Sequence, residues 1–195
     1  MLEIKCKIMK STNILPEKGN ILISEPSLQD FYFARSVVLL AEHNEEGSFG
    51  VILNKQVDIK FNEIVKDFPH YDGKVFLGGP VSTNNLFFIH TKGDLIENSQ
   101  DLGEGLFWGG NIEDVKILLD SKLLDSKSIR FFVGYSGWSA NQLDEELKTD
   151  SWLVSKVNHN KLISYKVENM WANVLKDLGG DYALWANFPL DPSFN

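Results

Sequence analysis

Residues 36–54, SVVLLAEHNEEGSFGVILN, decide the fold of this chain. Residues 36–43 are continuously apolar and rich in β-branched side chains between polar ends, which is typical of a strand covered on both faces. Residues 44–48 have turn chemistry, and residues 49–54 read as the returning strand. We therefore predict an antiparallel hairpin that carries Asn54 back toward Arg35 and leaves Glu42 and His43 at the turn end.

The flanking sequence predicts further strands and helices around this hairpin. Strands are expected at residues 21–23, 74–77, 86–90 and 129–135, and helices at residues 61–68, 111–122, from 139 onward, and 167–178. Asn111 is expected to cap one helix, and Ser139 with Gln142 matches a capping box for the next. Residues 94–104 contain four acidic residues and no lysine, which predicts a solvated, mobile loop. The fold class is therefore a single α+β domain at 19–195, preceded by an N-terminal arm at 1–18 whose Ile4, Ile8 and Met9 have helical spacing.

Composition and charge exclude several classes of protein. The 195 residues carry 19 Lys+Arg against 27 Asp+Glu, for a net charge of −8, and only Arg35 and Arg130 are arginines. This balance argues against an extended nucleic-acid interface. The single cysteine, Cys6, leaves no pair for a disulfide or a structural zinc site. The chain has no signal-peptide pattern and no apolar run of about 18 residues, so we expect a cytoplasmic protein without a membrane span.

The four histidines show no metal-binding spacing, so no metal site is predicted. His43 and His90 both end apolar strands, where loops often form pockets, and either could line a site or be a strand-end histidine bonded to a carbonyl. His70 and His159 lie in polar loops and are expected at the surface.

Residues 134–138, GYSGW, invite comparison with the nucleophile elbow of serine hydrolases. The elbow requires glycine where this chain has Trp138, so a nucleophilic Ser136 is the weaker interpretation. The structural interpretation is that Gly137 permits a sharp turn and Trp138 anchors the following helix in the core.

Two other patterns could bind a ligand or could be structural. Gly78-Gly79-Pro80 lacks the phosphate-loop motifs and is expected to be a tight turn where two backbones approach closely, although its amides could bind a small anion. Gln142 and Glu146 share one helix face, which could line a groove or face water.

Taken together, these stretches resemble the AlgH/YqgE family of bacterial proteins. The resemblance is carried in order by residues 19–23, Pro26, 33–40, 42–44, Gly47, 50–54, 78–81, His90, 134–135, 137–138, 142–143, 146–147 and Trp152. The ending YALWANFPLDPSFN resembles the Bacteroidetes branch. The resemblance implies an α+β domain whose mixed sheet bends into a pseudo-barrel flanked by helices. It brings no cofactor and no established reaction, and family members are commonly labelled transcriptional regulators. The family usually has a small residue at the position of Ser136.

Three functions follow as hypotheses. The favoured one is a non-catalytic regulatory or binding module that acts through a small ligand or a protein partner. Its groove would be built from Arg35, Asn54, Gly78, Gly79, His90, Tyr135, Gln142 and Glu146. The alternative is an enzyme for a small phosphorylated or acidic substrate, with His90 as general acid or base and Arg35 as anion clamp. The third, direct DNA binding, agrees poorly with the net charge of −8 and the lack of a helix-turn-helix pattern.

Overall fold

The computed structural model describes residues 14–156, 158 and 166–189, and most of its regular structure is in ten strands. The strands are β1 Ile21–Ser24, β2 Val37–Asn44, β3 Gly47–Ile52, β4 Gln56–Lys60, β5 Lys74–Leu77, β6 Val81–His90, β7 Gln100–Gly103, β8 Leu106–Trp108, β9 Ile129–Ser139 and β10 Trp152–Ser155. The helices are α1 Phe61–Ile64, α2 Ile112–Asp120, α3 Gln142–Lys148, α4 Met170–Leu178, which follows a 3₁₀ turn at Val167–Asn169, and α5 Tyr182–Trp185.

The predicted hairpin is confirmed. β2 and β3 pair antiparallel, with Val38 opposite Ile52 and Asn44 opposite Gly47, so the turn falls on residues 45 and 46. The five residues from Val37 to Ala41 are completely buried, as expected for a strand covered on both faces. The hairpin is continued by β1, which pairs antiparallel with β2 and, on its other side, with β10.

β9 is the central strand of the sheet. It pairs antiparallel with β3 and β6 and parallel with β5, so the sheet is mixed, as predicted. The main path runs β10-β1-β2-β3-β9-β6-β8-β7, and β4 joins through β5. Within the described residues the two ends of this path, β10 and β7, do not pair with each other. The α+β single domain is confirmed, but the sheet is open, and pseudo-barrel is only a loose description of its curvature.

Helices cover the sheet at three places and define three apolar clusters. The main core packs Met170, Trp171 and Leu175 of α4 against β1, β2 and β3. A second cluster places α1 and α2 against β5, β6 and β9, with Phe61 and Phe131 at its centre. The third packs α3 against the hairpin. Within the described residues, no helix is both long and apolar enough to cross a membrane.

Several local predictions hold and others are corrected. Asn111 caps α2, because its Oδ1 accepts a hydrogen bond from the backbone N–H of Glu113. The mobile loop predicted at 94–104 is wrong in part: Gln100–Gly103 forms β7, and Ile96 and Leu102 are buried. The acidic residues lie at exposed positions around these anchors. The sequence also missed β4 and β10.

The turn predicted at Gly137 is also corrected. β9 continues through this point to Ser139, and Gly137 pairs with Phe49 of β3. The close approach predicted for the glycine turn is confirmed, because a Cβ on Gly78 would lie 2.2 Å from the carbonyl oxygen of Gly134. The helix predicted in the arm, Cys6 and His159 lie outside the described residues.

Candidate functional site

An open groove of about 580 Å³ lies beside the turn end of the hairpin. We call it the hairpin groove. It is lined by Glu42, Asn44, Glu46, Gly47, Ser48, Phe49, Val81, Phe87, Tyr135, Gly137, Trp138 and Ser139. Because these residues come from β2, β3, β6 and β9, the groove lies across the centre of the sheet.

Half-buried aromatic rings form the floor of the hairpin groove. Phe49 and Phe87 each pack edge-on against Tyr135, with ring centroids 6.1 and 5.5 Å away. Trp108 of β8 is the fourth ring. Its centroid lies 5.7 Å from that of Phe49, and it stacks on Phe87 at a centroid distance of 5.8 Å. The four rings therefore form a closed cycle of contacts on four neighbouring strands. Phe87, Trp108 and Tyr135 also pack against the main core, which fixes the floor in place.

Two carboxylates at the turn end of the hairpin, Glu42 and Glu46, line the rim. Glu42 Oε1 accepts a hydrogen bond from the Asn44 side-chain amide at 2.6 Å, and Asn44 Oδ1 accepts from the backbone N–H of Glu46 at 2.9 Å. The residues that line the groove include no lysine and no arginine. The hairpin groove is therefore apolar at its floor and negative at its rim.

Arg35 and Asn54 lie together at the open end of the hairpin, away from the groove. Asn54 accepts from the backbone N–H of Val37 and donates to the carbonyl of Arg35, both at 2.9 Å, so it ties the two strands together. The Arg35 guanidinium lies 4.9 Å from the ring centroid of Trp171 and donates to the carbonyl oxygen of Phe188. Both residues therefore stabilise the fold through these contacts.

Gly78 and Gly79 directly follow β5 and lie beside β9, with which β5 pairs. The backbone N–H of Gly78 donates to the Val133 carbonyl at 2.8 Å, so this amide is engaged and does not offer the anion donor that the sequence suggested. The Gly78 carbonyl accepts from the Ser136 hydroxyl at 2.9 Å. A Cβ on Gly79 would lie 2.3 Å from the Tyr135 backbone, which explains the need for glycine here.

His90 is 1% exposed and has a complete set of hydrogen bonds. Its Nδ1 accepts from the backbone N–H of Lys92 at 3.1 Å, so the proton is on Nε2, which lies 2.9 Å from the Gly109 carbonyl oxygen. Ser99 Oγ lies 3.0 Å from the same nitrogen. Burial lowers the pKa of the imidazole below its ordinary value. The cavity beside it measures about 10 Å³, which leaves no room for a substrate.

Gln142 and Glu146 line a separate shallow depression of about 480 Å³ on α3. The Gln142 amide donates to Glu146 Oε1 at 3.0 Å, and its own oxygen accepts from the backbone N–H of Ser139 at 3.1 Å. Glu146 Oε2 accepts from the indoles of Trp138 and Trp152. The depression borders the hairpin groove, because Ser139 lines both cavities. Trp138 also lines the groove, and its indole is bonded to Glu146 of the depression.

The structure thus distributes the eight predicted site residues over five places. Tyr135 lines the hairpin groove, Gln142 and Glu146 lie in the neighbouring depression, and the other five lie elsewhere. Ser136 is completely buried. Within the described residues, no cluster of three or more histidine, cysteine, aspartate or glutamate side chains could hold a metal ion.

Sequence reasoning did not identify the groove residues Glu46, Phe49 and Phe87. One local signal was present at Phe49. It is a large ring between two small residues, Ser48 and Gly50, which leave space beside it. The assembly of rings depends on pairing between strands that are distant in sequence, such as Phe49 opposite Gly137. Such pairing is not visible in any one segment.

Two bacterial proteins are similar to this chain over more than nine-tenths of its length. It is 44% identical over 189 residues to a UPF0301 protein of Bacteroides thetaiotaomicron, covering 96% of this chain and 95% of the relative. It is 42% identical over 179 residues to a UPF0301 protein of Cytophaga hutchinsonii, covering 91% and 98% of the two chains.

Two solved structures share the fold. A crystal structure from Corynebacterium diphtheriae matches with a TM-score of 0.77 at 23% identity, covering 92% of this chain and 95% of the other. The solution structure of the AlgH protein from Pseudomonas aeruginosa matches with a TM-score of 0.71 at 26% identity, covering 93% and 98%. The AlgH-like family model, DUF179, matches residues 21–183, a span that holds all ten strands and all twelve residues that line the hairpin groove. The chain belongs to the AlgH-like family.

Proposed function

We propose that this protein is a non-catalytic binding module that engages its ligand or protein partner in the hairpin groove. The observation that carries the proposal is the closed cycle of four half-buried aromatic rings beneath an open cavity of about 580 Å³. Aromatic side chains at a concave surface supply large contact area at a small cost in conformational entropy. A regulatory role in the cytoplasm, exerted through such binding, fits this arrangement.

The geometry supports binding better than catalysis. Ser136 is completely buried and donates its proton to a backbone carbonyl, and His90 is buried with both ring nitrogens engaged. A nucleophile or general base must reach the substrate, and neither group can do so without local unfolding. Arg35 stacks on Trp171 and is bonded to the Phe188 carbonyl, so the anion clamp of the enzyme hypothesis is committed to the C-terminal segment.

The charge of the groove also argues against direct DNA binding. Nucleic-acid sites present lysine and arginine to phosphates, whereas the rim of the hairpin groove presents Glu42 and Glu46. A regulatory effect on transcription would then require a partner, as the net charge of −8 already indicated.

The test is a fragment screen observed by amide chemical shifts in ¹⁵N-labelled protein. The library contains equal numbers of basic, acidic and neutral compounds, most with an apolar portion. We expect hits that shift the amides of Ser48, Phe49 and Gly137, and these shifts should disappear in Tyr135→Leu, which keeps apolar volume under the groove. Phe31→Leu is the matched control, because Phe31 is 87% exposed and lies outside the groove.

Two outcomes would overturn the proposal. In one, no compound of any class shifts the groove amides. In the other, the hits persist unchanged in Tyr135→Leu. Both variants should be confirmed as folded by their melting curves before the screen.

A further inference from the structure

We propose that the hairpin groove receives the cationic head of an arginine side chain presented by a partner protein. This inference rests on the proposed function, and it adds the chemistry of the partner.

The rim carries negative charge without a cation to balance it. Glu42 is oriented by the Asn44 amide through one oxygen, which leaves its second oxygen available. The carboxylate of Glu46 has no hydrogen-bond or ion-pair partner among the described residues, and neither glutamate is in any of the three ion pairs found there. Glu42 in β2 and Glu46 in the turn place two like charges at the same end of the hairpin. Because these charges repel each other, a bound cation would relieve that repulsion.

The floor offers half-buried aromatic rings to such a cation. A guanidinium stacks on aromatic rings within about 6 Å of the centroid, and its planar fork can bond carboxylates at the same time. This chain shows the same preference internally, because the guanidinium carbons of Arg35 and Arg130 lie 4.9 and 4.6 Å from the ring centroids of Trp171 and Phe76. Arginine satisfies rings and carboxylates together better than lysine does, because the lysine ammonium is a compact, strongly hydrated charge.

The openness of the groove favours a side chain on a larger partner. A small molecule gains affinity when a pocket encloses most of its surface, and the hairpin groove is open to solvent. A side chain carried by a protein can leave one face outside and gain further contacts from the surface around it. The net charge of −8 would also attract a basic partner.

A second copy of this chain is a poor source of the arginine. Arg35 is bonded to the Phe188 carbonyl, and Arg130 donates to the Leu53 carbonyl at 3.3 Å while it stacks on Phe76. Burial lowers the pKa of Arg130, which is consistent with a side chain that is withdrawn from the surface. Both arginines of the chain are therefore already committed.

The experiment compares two peptides, acetyl-Ala-Arg-Ala-amide and the same peptide with citrulline, by titration of the ¹⁵N-labelled protein. Citrulline keeps the shape of arginine but is neutral. We expect the arginine peptide to shift the groove amides and to bind at least about tenfold more tightly than the citrulline peptide. Butylguanidinium, which carries the same single charge without a peptide backbone, should bind more weakly than the peptide, and equal or tighter binding would overturn the assignment to a protein partner.

Glu46→Gln and Glu42→Gln test the rim, with Glu45→Gln as the matched control. All three remove one charge from the turn end of the hairpin, but Glu45 does not line the groove. Loss of affinity of at least about threefold in the first two variants and an unchanged affinity in Glu45→Gln would support the proposal. Equal binding of both peptides, or equal effects of the three variants, would overturn it. If citrulline or neutral fragments bind the groove equally well, the binding module stands and the arginine assignment fails; if nothing binds there, both fail.

Discussion

Trp138 and Trp152 donate their indole N–H groups to the same carboxylate oxygen, Oε2 of Glu146, at 2.8 and 2.7 Å. The two rings meet edge-on with centroids 5.9 Å apart, so one side chain of α3 fixes the geometry of β9 and β10. Both indoles are largely buried, and each would lose its acceptor if the carboxylate were removed.

We expect Glu146→Ala to lower the free energy of unfolding by about 2–4 kcal/mol, because it leaves two buried donors without an acceptor. Glu146→Gln should cost less, since one neutral oxygen remains. Urea denaturation followed by tryptophan fluorescence measures both values. Glu145→Ala is the control: its ion pair with Lys148 is exposed and should contribute little to stability. Equal losses at positions 145 and 146 would contradict the shared-acceptor interpretation.

Ser36→Ala should stabilise the protein or leave it unchanged. Ser36 is completely buried, and its hydroxyl is the buried side-chain oxygen without a partner among the described residues. Removal of that hydroxyl eliminates a desolvation cost that no hydrogen bond offsets, for a gain of up to about 1 kcal/mol.

Ser24→Ala is the matched comparison, because Ser24 is equally buried but its Oγ accepts from the backbone N–H of Ser36 at 2.9 Å. That substitution should destabilise by about 1–2 kcal/mol. Denaturant midpoints of the two variants test the pair, and a destabilised Ser36→Ala would show that its hydroxyl has an acceptor in solution.

His90 should make stability depend on pH. Burial lowers the pKa of His90 in the folded protein, while the unfolded chain titrates near its ordinary value of 6.5. The unfolded state therefore binds the proton first, and the free energy of unfolding falls as pH falls from about 6.5 toward the folded pKa. His90→Gln should lose stability at neutral pH and should remove this part of the pH dependence. His70→Gln, at an exposed position, is the control. A His90 variant with the same acid sensitivity as the parent would refute the assignment.

Ser136 should not react with fluorophosphonate probes under native conditions. The side chain is completely buried, and its hydroxyl donates to the Gly78 carbonyl at 2.9 Å. Ser136→Ala should keep the fold at a cost of about 1 kcal/mol. Mass spectrometry of the probe-treated protein measures labelling, and modification at position 136 in the native state would revive the hydrolase interpretation.

Arg35→Ala should destabilise the protein by about 1–2 kcal/mol, because it removes the stack on Trp171 and the hydrogen bond to Phe188. Arg35→Lys should recover little, since an ammonium cannot stack as a planar group. Thermal melts measure the effect. Unchanged stability in Arg35→Ala would contradict this structural role and would favour the anion-clamp hypothesis instead.

Sequence patterns predicted the hairpin correctly because its information is local. The apolar run at 36–43, the polar turn and Asn54 all lie within nineteen consecutive positions, 36–54. The capping of α2 by Asn111 is local in the same way. The open sheet and the extension of β9 past Gly137 depend on partners far along the chain, which periodicity does not report.

The candidate site was predicted less well for a physical reason. Polar residues at strand ends, such as Arg35 and His90, can either face a ligand or satisfy the backbone, and the sequence pattern is the same in both cases. The structure shows carbonyl partners for both. The rings of the hairpin groove are ordinary aromatic residues in strands, and only their meeting across four strands distinguishes them from core.

The central position of β9 has a consequence for synthesis of the chain on the ribosome. Its partners β3, β5 and β6 are all made before residue 129, so they emerge without the strand that joins them. One edge of β1 stays unpaired longer still, because β2 pairs with its other edge and β10 ends only at Ser155. Such long-range pairing slows folding and leaves unpaired strand edges exposed to other chains. A nascent chain stopped before β9 should therefore be recognised by chaperones, and one that extends through α4, which covers the main core, should be released from them.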